Sequence, residues 1–240
     1  MAPDFRSADH LPHRRAGGLP PPPERLPRQR RGTTPQMYGR YPDYDVLEHA
    51  QHWDEVTRSV VLRRAREVPP IRVFDAREQR TLRAFCDLVT AQDAEPRIPV
   101  LEMVDAKLAS GELDGYRHHD MPEDPQTWRA VAAGLDEAAG GSFADLETDA
   151  ALALVGRFAA GELEGGVWDG LPCSKAWGVV MRGVLGAFYS HPWAWNEIGY
   201  GGPAYPRGYM RLGIDQREPH QAPEVGEEDP VAGVRRAGLE

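Results

Sequence analysis

The chain has 240 residues and 41% hydrophobic content, enough to bury one sizeable core but hardly enough for two independent domains. Its formal net charge of −9 is uneven: residues 1–40 carry +5, residues from Asp215 onward carry −4, and the middle therefore carries −10 (−9 − 5 + 4). A folded body this acidic repels phosphate backbones, so we do not expect nucleic acid as a partner.

The N-terminal part of the chain predicts an arm followed by a helix. Residues 1–42 are rich in Pro, Arg and Gly with few apolar anchors, which predicts a disordered basic arm, either solvated or ordered by a partner. An additional helix is predicted over residues 43–68. Apolar residues recur there at three- and four-residue steps between Tyr44 and Arg66, and Pro69 and Pro70 end the pattern.

Five further helices follow from apolar periodicity and from capping residues. Their approximate ranges are 75–89, 99–111, 124–140, 148–160 and 174–189. In the fifth helix of the chain, Leu152, Val155 and Phe158 share the stripe predicted to face the core. The only period-2 alternation is the brief Ile71–Phe74, so the predicted fold class is all-α, a single helical domain of about six helices.

The sixth helix of the chain contains three interior glycines, at positions 178, 183 and 186. Each costs about 1 kcal/mol relative to alanine in a helix. Either the helix is slightly weak, or another backbone, from this chain or from a partner, packs closely against it.

Seven of the chain's twenty aromatic residues lie between Phe188 and Tyr209, which we call the ring-rich segment. Its prolines and glycines predict irregular backbone through most of it. Trp and Tyr on stiff irregular backbone are typical of interface anchors, because they bury large area at little entropic cost. The rings either dock on a partner or cover the chain's own helices, and Trp193 and Trp195 are expected to point inward.

No residue is predicted to be catalytic, cofactor-binding or metal-binding. The glycine groups lack the strand, turn and helix context of a dinucleotide or phosphate loop. His49 and His52 have the spacing of metal ligands but no third ligand nearby in sequence. The cluster of His118, His119 and Asp120 is expected to be a polar surface loop.

The cysteines and the apolar runs indicate the compartment. Cys86 and Cys173 form neither a disulfide framework nor a zinc motif. Arg14 and Arg15 lead into prolines rather than into the apolar stretch of a secretory signal, and no run approaches the length of a membrane span. We therefore expect a cytoplasmic protein without membrane insertion.

The ring-rich segment contains SHPWAWNEIGYGGPAYPRGY, which resembles the C-terminal signature of the gluconate 2-dehydrogenase subunit 3 family. The kernel runs from Trp195 to Tyr200 and includes Gly202. The helix beginning near Phe74 and Asp75 and the stretch Phe143–Leu146 are also similar to elements of this family. The resemblance covers about residues 72–212, while an acidic tail over 213–240, predicted to be disordered, lies outside it.

The resemblance implies a small helical subunit without flavin, haem or catalytic residue, which accompanies a large FAD-dependent dehydrogenase of the glucose-methanol-choline type. FAD is then expected in the partner, which would oxidise a sugar or polyol. Family members commonly carry a twin-arginine signal, and this chain departs from that pattern. The residues expected at the partner interface lie in the ring-rich segment and in the sixth helix: Trp193, Trp195, Glu197, Ile198, Tyr200, Tyr205, Arg207, Tyr209, Gly183 and Gly186.

Two other functions remain open from the sequence. A free-standing enzyme would use His191, Glu197, Tyr200 and Arg207 around a small molecule. An adaptor protein would instead bind a groove through its Pro-rich arm in an extended conformation.

Overall fold

A computed structural model of the chain describes residues 44–92, 95–111, 115–206, 208, 218, 220 and 221. Within these residues there are seven α-helices, three 3-10 helices and no strand, which confirms the predicted all-α class. None of the described helices is long and apolar enough to cross a membrane. The predicted arm over 1–42 and most of the predicted tail over 213–240 lie outside the described residues.

The described residues divide into two compact units. Unit 1 combines the residues up to Glu67 with those from Tyr189 onward, and unit 2 is Val68–Phe188. The α-helices are α1 Glu55–Arg66, α2 Ala76–Val89, α3 Val100–Ser110, α4 Asp124–Ala138, α5 Thr148–Ala160, α6 Cys173–Phe188 and α7 Pro192–Ile198. The 3-10 helices are Val46–His52, Phe143–Asp145 and Gly166–Asp169.

Helix α2 begins with a capping box. The Asp75 carboxylate accepts hydrogen bonds from the backbone N–H groups of Arg77 and Glu78, while the Glu78 carboxylate accepts one from the Asp75 N–H. Helices α3 and α5 each end at a glycine in the left-handed conformation, Gly111 and Gly161. The strength of these local signals explains why the predicted bounds lie close to the observed ones.

The single helix predicted over 43–68 is wrong, because two helices occupy this range. The 3-10 helix Val46–His52 ends at Trp53, and Asp54 then caps α1 by accepting a hydrogen bond from the Thr57 N–H at 3.0 Å. A 3-10 helix has three residues per turn, so the apolar stripe does not continue into α1 at helical spacing. As a result Val56 is 69% exposed.

Unit 2 is built around a cluster of aromatic rings. The rings of Phe85, Phe158 and Trp177 pack at centroid distances of 5.2–6.2 Å, and Trp168 packs on Phe158 at 5.1 Å. Trp168 comes from the 3-10 helix Gly166–Asp169, within a stretch predicted to be loop. Its ring lies so close to Gly134 on α4 that a Cβ atom there would be 2.6 Å away.

One sequence expectation in unit 2 differs from the structure. Leu152 was predicted to face the core but is 50% exposed, and Leu154 on α5 is buried instead. The alternating stretch Ile71–Phe74 is not a strand. The fully buried carboxylate of Asp105 on α3 accepts hydrogen bonds from three successive N–H groups there, those of residues 72, 73 and 74, at 2.7, 2.8 and 3.2 Å.

Candidate functional site

The candidate site is the part of the ring-rich segment that lies in unit 1, where the sequence predicted mostly irregular backbone. That prediction is wrong for residues 192–198, which form α7. Pro192 occupies the first turn, where a missing N–H costs nothing, and Gly199 ends the helix at φ +66°. The proline and the glycine therefore mark the ends of a helix rather than prevent one.

Trp195 points into unit 1, as expected for this ring. It is 6% exposed and belongs to a cluster of buried side chains that includes Tyr44, Val46, Leu47, Ala50, Trp53 and Val61. Its indole Nε1 donates a hydrogen bond to the Tyr189 carbonyl at 2.6 Å, and its ring meets that of Tyr200 edge-on at 5.5 Å. The Trp195 ring is thus fixed both by residues near it in sequence and by residues 44–61.

Asn196, the next residue, joins α7 to the N-terminal part of unit 1. Its side-chain oxygen accepts a hydrogen bond from the Val46 N–H at 2.8 Å, and its amide nitrogen donates to Asp45 Oδ1 at 3.3 Å. The same Asp45 oxygen accepts from the Leu47 N–H at 3.1 Å. Both polar side chains are buried, so each needs these partners to offset the cost of leaving water.

Two close approaches complete this packing. A Cβ atom at Gly202, where φ is +73°, would lie 2.9 Å from both Trp53 Cζ2 and Val46 Cγ2. The Tyr44 hydroxyl donates a hydrogen bond to the His220 carbonyl at 2.8 Å. Glu218 and His220 are buried although they belong to the segment predicted to be a disordered tail, so at these two positions the structure differs from that prediction.

His191 serves as the cap of α7. Its Nδ1 accepts a hydrogen bond from the Trp193 N–H at 3.2 Å, and the two rings meet edge-on at 5.3 Å. Burial lowers the pKa of His191 to about 4; a hydrogen bond with the Arg64 backbone opposes this shift, and the Arg64 charge adds to it. The imidazole is therefore neutral at pH 7, and it fixes the start of a helix rather than facing an open pocket.

The structure separates the predicted interface residues of the ring-rich segment by exposure. Trp195 and Glu197 are buried, whereas Trp193 and Ile198 are half-buried. Tyr200 is 41% exposed and Tyr205 is 66% exposed. Arg207 and Tyr209 lie outside the described residues. Of the four residues assigned to a free-standing enzyme, two are buried, one is exposed and one is not described.

The two glycines predicted at the interface have different surroundings in unit 2. A Cβ atom at Gly183 would lie 2.8 Å from the ring of Trp128 on α4, so a side chain of this chain accounts for that glycine. At Gly186 no described residue lies within 4 Å of such an atom, and the glycine is exposed. Whether either glycine contacts a partner stays a prediction.

The two cysteines and the polar loop at Asp120 are the remaining candidates for chemistry. Burial raises the pKa of both thiols, Cys86 and Cys173, which disfavours the reactive thiolate. The Asp120 carboxylate pairs with Lys175, whose hydrogen bond lowers the pKa of that acid. Across the described ranges, no three His, Cys, Asp or Glu side chains are grouped so that they could hold a metal ion.

Sequence reasoning missed the role of Asp45 in holding α7. Asp45 caps the 3-10 helix Val46–His52, and its bond to Asn196 joins residues 151 positions apart. Tyr44 and Gly202 were also not assigned to this packing. In the sequence, only the short run of signature residues around Asn196 marked this region as important.

Comparison with known proteins identifies a family. The family model for gluconate 2-dehydrogenase subunit 3 matches residues 76–202, more than half of the chain. The match begins at the first residue of α2 and ends four residues after α7. No curated protein and no solved structure matches the chain.

Proposed function

The chain belongs to the gluconate 2-dehydrogenase subunit 3 family, and from this we propose that it is a non-catalytic accessory subunit. It binds and stabilises a large FAD-dependent dehydrogenase of the glucose-methanol-choline type, which oxidises a sugar or polyol and holds the FAD. The single observation that carries this proposal is the family match over residues 76–202, because it includes α7 and the glycines that follow it.

The contact surface proposed on unit 1 is the exposed part of the ring-rich segment. Tyr189, Tyr200 and Tyr205 are 37%, 41% and 66% exposed, and two of them follow the end of α7. Exposed tyrosines on backbone that is already fixed bury large area on binding and lose little entropy. The buried residues Trp195 and Glu197 then contribute by holding the backbone that carries these tyrosines.

The first test is recovery of the partner. The full chain, tagged and expressed at its natural level in its source organism, is purified and examined for flavin absorbance and by mass spectrometry. We expect a large flavoprotein to be recovered in stoichiometric amount. Recovery of the chain with no flavoprotein would show that the proposal is wrong.

The contact surface is tested by Tyr205→Ala. Loss of a central tyrosine at an interface costs about 2 kcal/mol or more, so we expect the amount of captured flavoprotein to fall about thirtyfold at limiting concentration. Tyr116→Ala is the matched control, since Tyr116 is 62% exposed but lies in unit 2. Equal capture by both variants would show that Tyr205 is not part of the interface, and the result of the first test would still stand.

Catalysis is assigned by comparing the isolated chain with the complex. Both are assayed for oxidation of sugars and polyols with an artificial electron acceptor. Turnover is expected only when the flavoprotein is present. Turnover by the isolated chain would instead favour the free-standing enzyme.

A further inference from the structure

Residues 44–66, which we call the cover segment, lie entirely outside the family match over 76–202. They comprise the 3-10 helix Val46–His52 and α1, and both of these elements pack against α7. Val46, Leu47 and Trp53 are at most 3% exposed, and their side chains join Trp195 in the core of unit 1. A segment that the family match does not include thus supplies most of the core around a segment that it does include.

Helix α7 depends on such a surface because it is short. Seven residues cannot form a stable helix alone in water, since nucleation costs more than so few hydrogen bonds return. The side chains of Trp195 and Asn196 are 6% and 4% exposed and both pack with the cover segment, so the face of α7 that carries them is already covered. We call this the inner face of α7.

The contact is specific as well as apolar. Asn196 exchanges hydrogen bonds with Val46 and Asp45 in the interior, and such bonds hold only in one register. The left-handed Gly202 leaves room for the Trp53 ring and the Val46 side chain, which would otherwise meet a Cβ atom at 2.9 Å. Polar pairing and shape therefore select the cover segment as the occupant.

We infer that the cover segment is an internal partner of the ring-rich segment, which occupies the inner face of α7 and keeps it folded in the isolated chain. Another protein that binds the ring-rich segment then meets a surface already formed, and it contacts the exposed tyrosines rather than Trp195. The inner face is not a vacant docking site in this chain.

The first test uses hydrogen exchange on the full chain alone, so it does not depend on any flavoprotein. In Gly202→Ala the new Cβ atom meets Trp53 and Val46. We expect exchange of the amides in α7 and in the cover segment to rise together, about tenfold or more. Gly208→Ala is the control, because Gly208 is also left-handed, at φ +68°, but none of the described residues lies within 4 Å of an added Cβ atom. It is expected to leave both regions protected.

Faster exchange in α7 with unchanged exchange in the cover segment would overturn the inference, because the two would then not be coupled. Equal effects of the two substitutions would also overturn it, since strain at a left-handed residue would explain the change without any contact. Asn196→Ala gives an independent check: it keeps the backbone and removes only the polar pairing, and it is expected to raise exchange in both regions.

The second test asks whether the contact survives without the covalent connection. A protease recognition sequence is inserted between Glu67 and Val68, both exposed, and the purified full chain is cut there. We expect the two fragments to elute together, one copy of each, at the mass of the uncut protein. Separate elution would overturn the inference, and a complex with two copies of each would show that the cover segment binds a second chain instead.

Discussion

At the scale of single residues, the most informative group is His191, which the sequence suggested only as a catalytic candidate. The structure uses its Nδ1 as a hydrogen-bond acceptor at the start of α7, which a protonated ring cannot provide. Protonation would also place a second positive charge near Arg64. The hydrogen bond that caps α7 therefore requires a neutral imidazole.

This geometry predicts a dependence of stability on pH. The pKa of His191 is about 4 in the folded chain and about 6.5 when unfolded, so as pH falls the unfolded chain binds the proton first. The contribution of His191 is fully present above pH 6.5 and is lost as pH falls towards 4, by about 3 kcal/mol in total. Urea unfolding at several pH values measures it.

His191→Asn is the matched variant for this prediction. Asparagine is a favoured helix cap and accepts the same N–H bond, but it has no proton to gain. The difference in unfolding free energy between the two proteins should therefore shrink or reverse between pH 7 and pH 4. A difference that stays constant over this range would contradict the assigned role.

At the scale of elements, the glycines of α6 have separate reasons. Gly183 leaves space for the Trp128 ring, whereas Gly178 and Gly186 are exposed and open. The sequence left open a slightly weak helix or the close approach of another backbone. At Gly183 the neighbour is instead a side chain on α4, more than fifty residues away, which periodicity cannot indicate.

We predict opposite effects of alanine at these positions. Gly183→Ala should lower the free energy of unfolding by about 1–2 kcal/mol, since overpacking exceeds the gain in helix propensity. Gly178→Ala should raise it by about 0.5–1 kcal/mol, because only the propensity changes. Urea denaturation of both variants and of the natural protein measures these free energies of unfolding. A Gly183→Ala variant more stable than the natural protein would contradict the packing described for Trp128.

The elements that could be predicted from sequence are those with local signals. A capping box, left-handed glycines and regular apolar spacing mark α2, α3 and α5 within a residue or two. Helix α7 was missed because Pro192 was read as a helix breaker, although proline suits the first turn. The break at Trp53 and the bonds to Asp105 depend on contacts between distant residues, which periodicity does not contain.

At the scale of the whole molecule, unit 1 is discontinuous in sequence and contains the proposed contact tyrosines, whereas unit 2 is one continuous stretch. The helical domain predicted over 72–212 includes residues of both units. Contacts between segments so far apart in sequence do not appear in the apolar periodicity. In the structure, the buried hydrogen bond between Asp45 and Asn196 is one such contact.

The location of the contact surface predicts where a partner stabilises the chain. At a free partner concentration of about one hundred times Kd, binding stabilises the structure it contacts by about 2.7 kcal/mol. Hydrogen exchange of the chain with and without its flavoprotein should therefore slow most in unit 1, around residues 199–206. Protection confined to unit 2 would place the interface there, with Gly186 as its nearest predicted member.

The discontinuity of unit 1 also sets an order of events on the ribosome. The end of α1 and the start of α7 are 126 residues apart (192 − 66), which takes about 6 to 25 s to synthesise. Throughout that interval the nascent chain carries Val46, Leu47 and Trp53 with nothing of α7 to receive them. These apolar residues are the expected binding site for a nascent-chain chaperone during that interval.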